Sequence, residues 1–321
     1  MYWKKAKMTA LFLMGGFFVV SAQSLSRDSV VTSEAHYVVG TPLGRLESPE
    51  IREASGLVAS AAAPGFLWTH NDSGDAARIF LVDSLAQHRG TWYLSGTAAL
   101  DWEEMGHMRI DDQDYLIVGD IGDNRARRSF VSIHIFPEPT FPPDQFADRT
   151  DTIFTDTISQ ELIQTLHLRY EDGPRDAEAF FFDASDDLLY VITKRENQVG
   201  IYSAALPPRN EVNLRDDRDT LTLQRRAQLP LTWVTAADIS RSGNEILIKN
   251  LLQVHHWARV PGETVIQALS RASVRLPYRL EPQGEAISFH LEGKGYYTLS
   301  ERPLGLPVSL NFAEKRSGPA L

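Results

Sequence analysis

Carboxylate side chains recur at the start of hydrophobic segments along this 321-residue sequence. The stretch DGPRDAEAFFFD places Asp176 and Glu178 directly before Phe180, Phe181 and Phe182, where a buried β-strand is expected. A carboxylate that enters such a strand loses its hydration, so a cation or hydrogen-bond donors must hold it. Comparable segments are EASGLVAS at Glu53, DWEEMGHM at Asp101, AADISRSG at Ala236 and GEAISFHL at Gly284.

Carboxylates that are brought close together raise one another's pKa, so some become protonated unless a cation lies among them. Calcium relieves this repulsion well, because it accepts about six to eight oxygen ligands in flexible geometry. The sequence has no Cys and no HExxH motif, which makes zinc a poorer fit. Lys194, Arg195, Lys249 and Arg302 are alternative partners for the acids. Two interpretations of how the carboxylates are held stay open: a bound divalent ion, or a network of ion pairs and hydrogen bonds.

Each acidic segment opens a repeated unit of short strands rich in Val, Ile, Tyr, Phe, Trp and Thr. Second strands follow as FLWTHND, DYLIVGDIGDN, LLYVITKRE, EILIKN and GYYTLSE. The opening acids at positions 53, 103, 178, 238 and 285 are separated by 50, 75, 60 and 47 residues. Four-stranded units at this period predict an all-β fold, a β-propeller.

Five four-stranded blades are predicted, and the fifth lacks a fourth strand of its own. The run AHYVVGTPLGRL from Ala35 would supply that strand and close the ring, which removes the exposed edges of an open ring. The segment 137–157, PEPTFPPDQFADRTDTIFTDT, is interpreted as a loop excursion. A degenerate sixth blade in this segment is the alternative.

The first strand of each blade lines a central channel, and the loop after the second strand lies beside the next opening segment. This geometry predicts that acids far apart in the sequence meet at one end of the channel. The predicted metal ligands are Glu53, Asp72, Asp101, Glu103, Asp120, Asp123, Asp176, Glu178, Asp238 and Glu285. The candidate catalytic side chains are His70, Lys194, Arg195 and Arg302, with a structural hydrogen-bonding role as the alternative for His70.

The first 22 residues have the features of a signal peptide, with Lys4, Lys5 and Lys7 before an apolar run and a small-residue cleavage site. An uncleaved membrane anchor is the alternative. We expect a flexible segment at 23–34, the propeller at 35–314 and a tail at 315–321. An exported protein without Cys fits a bacterial periplasm or the cell exterior.

Cleavage of the signal removes three Lys and no acid, so the formal charge moves from −10 to −13. This charge disfavours nucleic-acid binding and favours cations. The expected partners are a divalent cation and a small anionic ligand or a cell-envelope component. We expect a monomer with no stable membrane span after signal cleavage.

The motifs EASGL, LWTHNDSGDAARIF, DWEEM, VGDIGDNRARR, DAEAFFFD, VITKR, TAADIS and QGEAISF resemble a family of exported bacterial β-propellers labelled WD40-like. This family is loosely similar to the esterase-like phytase and SdiA-regulated propellers. The resemblance covers about residues 50–305. It implies a propeller with an acidic, cation-binding central face, and it implies no established reaction.

Three classes of function are compatible with these features. The first is a metal-dependent hydrolase of phosphate or other anionic esters, with the anion near the basic side chains. The second is a non-catalytic propeller that binds a ligand or a protein and uses its cation structurally. The third is a lyase or glycosidase that acts through paired acids.

Overall fold

The computed structural model of the protein describes residues 37–141, 153–207 and 220–316. These residues belong to one compact unit, Thr32–Leu321, whose secondary structure is almost entirely β. The predicted signal peptide at 1–22, the predicted segment at 23–34 and residues 317–321 of the predicted tail lie outside the described residues. No helix within the described ranges is long and apolar enough to cross a membrane.

The strands are short and are separated by turns. The strands that precede the second gap in the described residues are β1 (Thr41–Leu46), β2 (Ala54–Ala59), β3 (Phe66–Asn71), β4 (Arg78–Asp83), β5 (His88–Leu94), β6 (Trp102–Ile110), β7 (Gln113–Asp120), β8 (Val131–Pro137), β9 (Phe154–Ile158), β10 (Gln164–Tyr170), β11 (Ala177–Asp183), β12 (Leu188–Thr193) and β13 (Val199–Ala205). The strands that follow it are β14 (Thr220–Leu229), β15 (Val234–Ile239), β16 (Glu245–Asn250), β17 (Val254–Ala258), β18 (Val274–Leu276), β19 (Gly284–Phe289), β20 (Gly295–Ser300) and β21 (Val308–Glu314). Within the described residues, the helical elements are α1 (Val265–Leu269) and two 3₁₀ turns, Gln160–Leu162 and Pro303–Gly305.

The sheets are arranged as the blades of a propeller. Strands β2, β6, β11, β15 and β19 each begin a four-stranded antiparallel unit, and they contact one another in a closed ring. The described residues also contain one buried apolar cluster between each pair of neighbouring units. The predicted β-propeller is therefore confirmed. The number of blades in the whole chain stays a prediction, because residues 142–152 and 208–219 lie outside the described ranges.

The three phenylalanines of β11 pack between blades. Phe180 and Phe182 belong to the cluster shared with the β6–β8 unit, whereas Phe181 belongs to the cluster shared with the β15–β18 unit. Phe180 fits because its neighbours Gly106 and Gly119 have no side chain: a Cβ atom there would lie 2.8 or 2.7 Å from its ring. The alternation of faces along a strand thus lets one segment fill two blade interfaces.

The N-terminal strand closes the ring. Strand β1 pairs antiparallel with β21, in a register that aligns Thr41 with Phe312 and Leu46 with Val308. The last sheet has the order β1-β21-β20-β19, so both ends of the described chain contribute to it. The predicted closure by the run from Ala35 is therefore confirmed for residues 41–46.

The segment 137–157 is not entirely the loop excursion that we expected. Residues Phe154–Ile158 form β9, which pairs parallel with β5 and adds a fifth strand to the first sheet. Phe154 packs against Trp92, with ring centroids 5.2 Å apart. The sequence did not indicate this strand, because its three central residues are polar and exposed and only its ends are apolar.

Candidate metal centre

Most inner strands begin with an irregularity that redirects one side chain. The pairing register shifts at Glu103, Glu178, Thr235 and Glu285, each of which is skipped between paired neighbours. An extra residue of this kind forms a β-bulge, which bends the strand and re-aims the side chain. Three of the four bulged residues are glutamates, so the bulges direct carboxylates from three units toward the same end of the channel.

The predicted alignment of the repeats was wrong for Glu53 and Asp238. The backbone N–H groups of Asp72, Lys194 and Glu301 donate to the carbonyls of Glu53, Asp176 and Gln283 at 2.9–3.0 Å. Glu53 is therefore equivalent to Asp176, and the residue equivalent to Glu178 in the first unit is Ser55. In the fourth unit the equivalent position is Thr235, three residues before Asp238. The sequence shows no bulges, so counting residues from the strand start misplaced both acids.

Hydroxyl groups occupy the two positions where the alignment expected acids. Ser55 donates its hydroxyl hydrogen to the backbone carbonyl of Glu103 in the next unit. Thr235 donates in the same manner to the carbonyl of Gly284, at 3.1 Å. These bonds tie neighbouring units together beside Glu103 and Glu285.

Five acids from different loops and strands gather at the end of the channel where the inner strands begin. They form two groups of three, within each of which carboxylate oxygens lie within 4.8 Å of one another. The first group is Asp72, Asp101 and Glu103, and the second is Asp72, Glu285 and Glu301. We call these five residues the acidic cluster. Glu103, Glu285 and Glu301 are buried, whereas Asp72 and Asp101 are partly exposed at the mouth of the channel.

Burial and mutual repulsion raise the pKa values of four members of the acidic cluster, Asp72, Asp101, Glu103 and Glu301. Burial is the main cause of a pKa of about 6 for Asp72, and Asp101, Glu285 and Glu53 raise it further. Burial followed by repulsion from Glu285 raises the pKa of Glu301 to about 9. The pKa of Glu103 lies well above its ordinary value, first because of burial and then because of Asp72 and Asp101. The cluster therefore favours either protons or a cation.

Glu103 is a buried member of the acidic cluster whose carboxylate has no partner of its own among the described residues. Its residue is 2% exposed, and within the described ranges its carboxylate meets no hydrogen-bond donor and no ion-pair partner. Gly122 leaves room for this carboxylate, because a Cβ atom there would lie 2.3 Å from Glu103 Oε1 and 2.5 Å from Asp101 Oδ2. A buried carboxylate without a partner loses hydration without compensation. The space around Glu103 therefore fits an added cation.

The other predicted ligands in this region are paired with basic side chains or backbone groups. Lys194 pairs with Glu178, and Arg195 pairs with Asp176. Arg128 contacts Asp120 at 2.6 Å. Asp123 instead accepts the backbone N–H groups of residues 127 and 128, as expected for the tight-turn interpretation of GDIGDN. These acids thus differ from the acidic cluster, whose members have hydrogen bonds at Asp72 and Glu301 but no ion pair within the described residues.

Asp238 lies far along β15, away from the acidic cluster. Its carboxylate accepts the backbone N–H groups of Phe289 at 2.7 Å and Ile239 at 2.8 Å. Burial raises its pKa to about 7. It lines a small cavity with His107 and Arg241 at the opposite end of the channel. Glu53 remains near the cluster but is exposed.

The candidate catalytic residues are engaged in structural contacts. Arg302 donates to the backbone carbonyls of Ser48, Ile51 and Gly305. His70 is fully buried, and its Nδ1 lies 2.8 Å from the carbonyl oxygen of Asn71. Burial lowers its pKa to about 4, so this imidazole is neutral at physiological pH.

Glu301 and Gly122 were absent from the predicted ligand set. Glu301 follows β20 as Asp72 follows β3, so comparing the loops after each second strand could have identified it. Gly122 carries no such signal, because its importance comes from the approach of Glu103 and Asp101 in space.

Comparisons with known proteins add little to this site. No protein-family model matches the sequence, and no curated protein matches it. Among solved structures, the PQQ-bound form of aldose sugar dehydrogenase (Adh) from Streptomyces coelicolor is similar, with 9% sequence identity and a TM-score of 0.43. The match covers 87% of this chain and 98% of that chain. We take no residue role, ligand or activity from this likeness.

Proposed function

We propose that the protein is a cation-binding β-propeller that holds a divalent ion, preferably Ca²⁺, in the acidic cluster. The observation that carries this proposal is the buried and unpartnered carboxylate of Glu103 beside Asp72 and Asp101. A divalent ion would convert the repulsion among these groups into attraction and would lower their pKa values.

The ligand chemistry supports a hard cation. The acidic cluster offers only carboxylate oxygens, and the sequence has no Cys. Calcium prefers oxygen ligands at about 2.3–2.6 Å and tolerates irregular geometry. Asp72 and Asp101 are partly exposed, so the bound ion would also meet solvent or a ligand at the channel mouth.

The contacts of the basic side chains favour ligand or protein binding over ester hydrolysis. An anionic ester would need Lys194, Arg195 or Arg302, and each already binds a carboxylate or backbone carbonyls. A hydrolase remains the second candidate, because a partly exposed ion could activate water. A phosphatase and esterase screen with and without Ca²⁺ separates the two: turnover that requires Ca²⁺ supports the hydrolase.

Thermal unfolding tests cation binding. At a calcium concentration of 100 times Kd, binding stabilises the folded state by about 2.7 kcal/mol. For a chain of this size, we expect the melting temperature to rise by about 4–5 °C relative to protein with a chelator. Equal melting temperatures with chelator and with excess calcium would refute the proposal.

Glu103→Gln tests the position of the ion. It removes a buried acid whose raised pKa lowers stability at neutral pH, so the chelated variant should melt above the chelated wild type and respond less to calcium. The matched control is Asp112→Asn, because Asp112 has a fully exposed side chain outside the cluster. A full calcium response in Glu103→Gln would place the ion elsewhere.

A further inference from the structure

Asp72 occupies a special position, because it belongs to both groups of acids. Its carboxylate lies within 4.8 Å of ligand oxygens from Asp101 and Glu103, and also of ligand oxygens from Glu285 and Glu301. In the described part of the chain, these five residues form two such groups of three and no larger one. Asp72 is therefore the only residue that the two groups share.

The dimensions of each group match one calcium ion. Two oxygens bound to the same Ca²⁺ are separated by at most twice the bond length, about 4.6–5.2 Å. Each group of three satisfies this limit by itself. A single ion would instead have to bring Asp101 and Glu103 within this distance of Glu285 and Glu301.

Each group contains a glutamate that is at least nine-tenths buried and has no basic partner within the described residues. Glu103 is 2% exposed and Glu285 is 9% exposed. For neither carboxylate do the described residues supply a nitrogen donor: Lys249 donates to the carbonyl of Gly284, and Glu285 instead lies within hydrogen-bonding distance of Glu301. One ion in the first group would satisfy Glu103 and would leave Glu285 without a cation. Two carboxyl groups as close as Glu285 and Glu301 need a proton or a cation between them, so a requirement for positive charge exists on each side of Asp72.

We propose that the acidic cluster is a dinuclear centre, in which the Asp72 carboxylate bridges two divalent cations. Asp101 and Glu103 hold one ion, and Glu285 and Glu301 hold the other. Carboxylate-bridged ions of this kind lie about 3.5–4 Å apart. This inference rests on the proposed cation-binding function and adds the number of ions and the role of Asp72.

The test is calcium stoichiometry. Purified protein is stripped with a chelator, dialysed and titrated with CaCl₂ by isothermal titration calorimetry, and bound calcium is counted by elemental analysis after gel filtration. Two ions per chain are expected. One ion per chain overturns the dinuclear centre and leaves the proposed function intact, whereas no bound ion overturns both.

Single variants assign the two ions. We expect Asp101→Asn and Glu301→Gln each to retain one ion and Asp72→Asn to lose both, while the control Asp112→Asn retains two. An Asp72→Asn variant that retains one ion would overturn the bridging role. Circular dichroism verifies the fold of each variant, and the wild-type stoichiometry decides the proposal even if a variant does not fold.

Discussion

Glu103 and Glu178 occupy equivalent bulges but have opposite environments. Lys194 pairs with Glu178, whereas the described residues offer Glu103 no partner. Lys194 follows β12 in the unit of Glu178, and its N–H donates to the carbonyl of Asp176; in the unit of Glu103 the residue that donates to the carbonyl of Asp101 is Gly122, which has no side chain. A single loop position thus decides whether a bulged glutamate is neutralised by the chain or left for a cation.

The ion pair between Lys194 and Glu178 should contribute measurably to the free energy of unfolding. Both residues are less than 10% exposed, so Lys194→Met would leave a buried charge without its partner. We expect a loss of about 3–5 kcal/mol in the free energy of unfolding, measured by urea denaturation at neutral pH. The double variant with Glu178→Gln should recover most of this loss, and a double variant as unstable as Lys194→Met would contradict the explanation.

The strands were predictable from sequence, whereas the bulges that aim the acids were not. Segments such as LLYVIT and EILIKN combine β-branched and aromatic residues between turns, so they indicate strands without further information. A bulge shifts one residue out of register; Gly56 marks the shift in EASGL, but nothing marks it at Thr235, before AADIS. The convergence of Glu103 and Glu285 followed from the radial repeat, but the correct positions in the first and fourth units required the pairing register.

If β1 closes the ring, its buried side chains should stabilise the whole fold. Leu46 is fully buried in the apolar cluster between the last and first units, although its strand is the outermost of the sheet. Leu46→Ala should reduce the free energy of unfolding by about 2–5 kcal/mol in urea denaturation. Thr41→Ala, at an exposed position of the same strand, is the control. Equal losses in both variants would mean that β1 contributes little to closing the ring.

Acids with raised pKa values make the free energy of unfolding of the protein depend on pH. Between about pH 6.5 and pH 8, folded Glu301 with a pKa of about 9 retains a proton that the unfolded chain has lost. The folded state then binds more protons, so the free energy of unfolding falls as pH rises. Buried histidines such as His70 act oppositely only below their ordinary pKa of 6.5, and Lys249 does so only above its pKa of about 8.

We therefore predict that the chelated protein becomes less stable from pH 6.5 to pH 8 in urea denaturation. Saturating calcium should reduce this decrease, because the bound ion replaces the protons in the acidic cluster, whereas the contribution of Asp238, with a pKa of about 7, should remain. The buffer and the ionic strength are kept constant across the series. A chelated protein whose stability rises over this interval would contradict the raised pKa values of the cluster.

We propose that the propeller brings together acids from distant parts of the chain to bind a cation. The most direct measurement is an anomalous difference map from crystals grown with CaCl₂, recorded at a wavelength where calcium scatters anomalously. We predict strong density between Asp72 and Glu103, with carboxylate oxygens about 2.3–2.6 Å from its centre. A map without density in the acidic cluster, or with Glu103 bound to a protein donor instead, would contradict the claim.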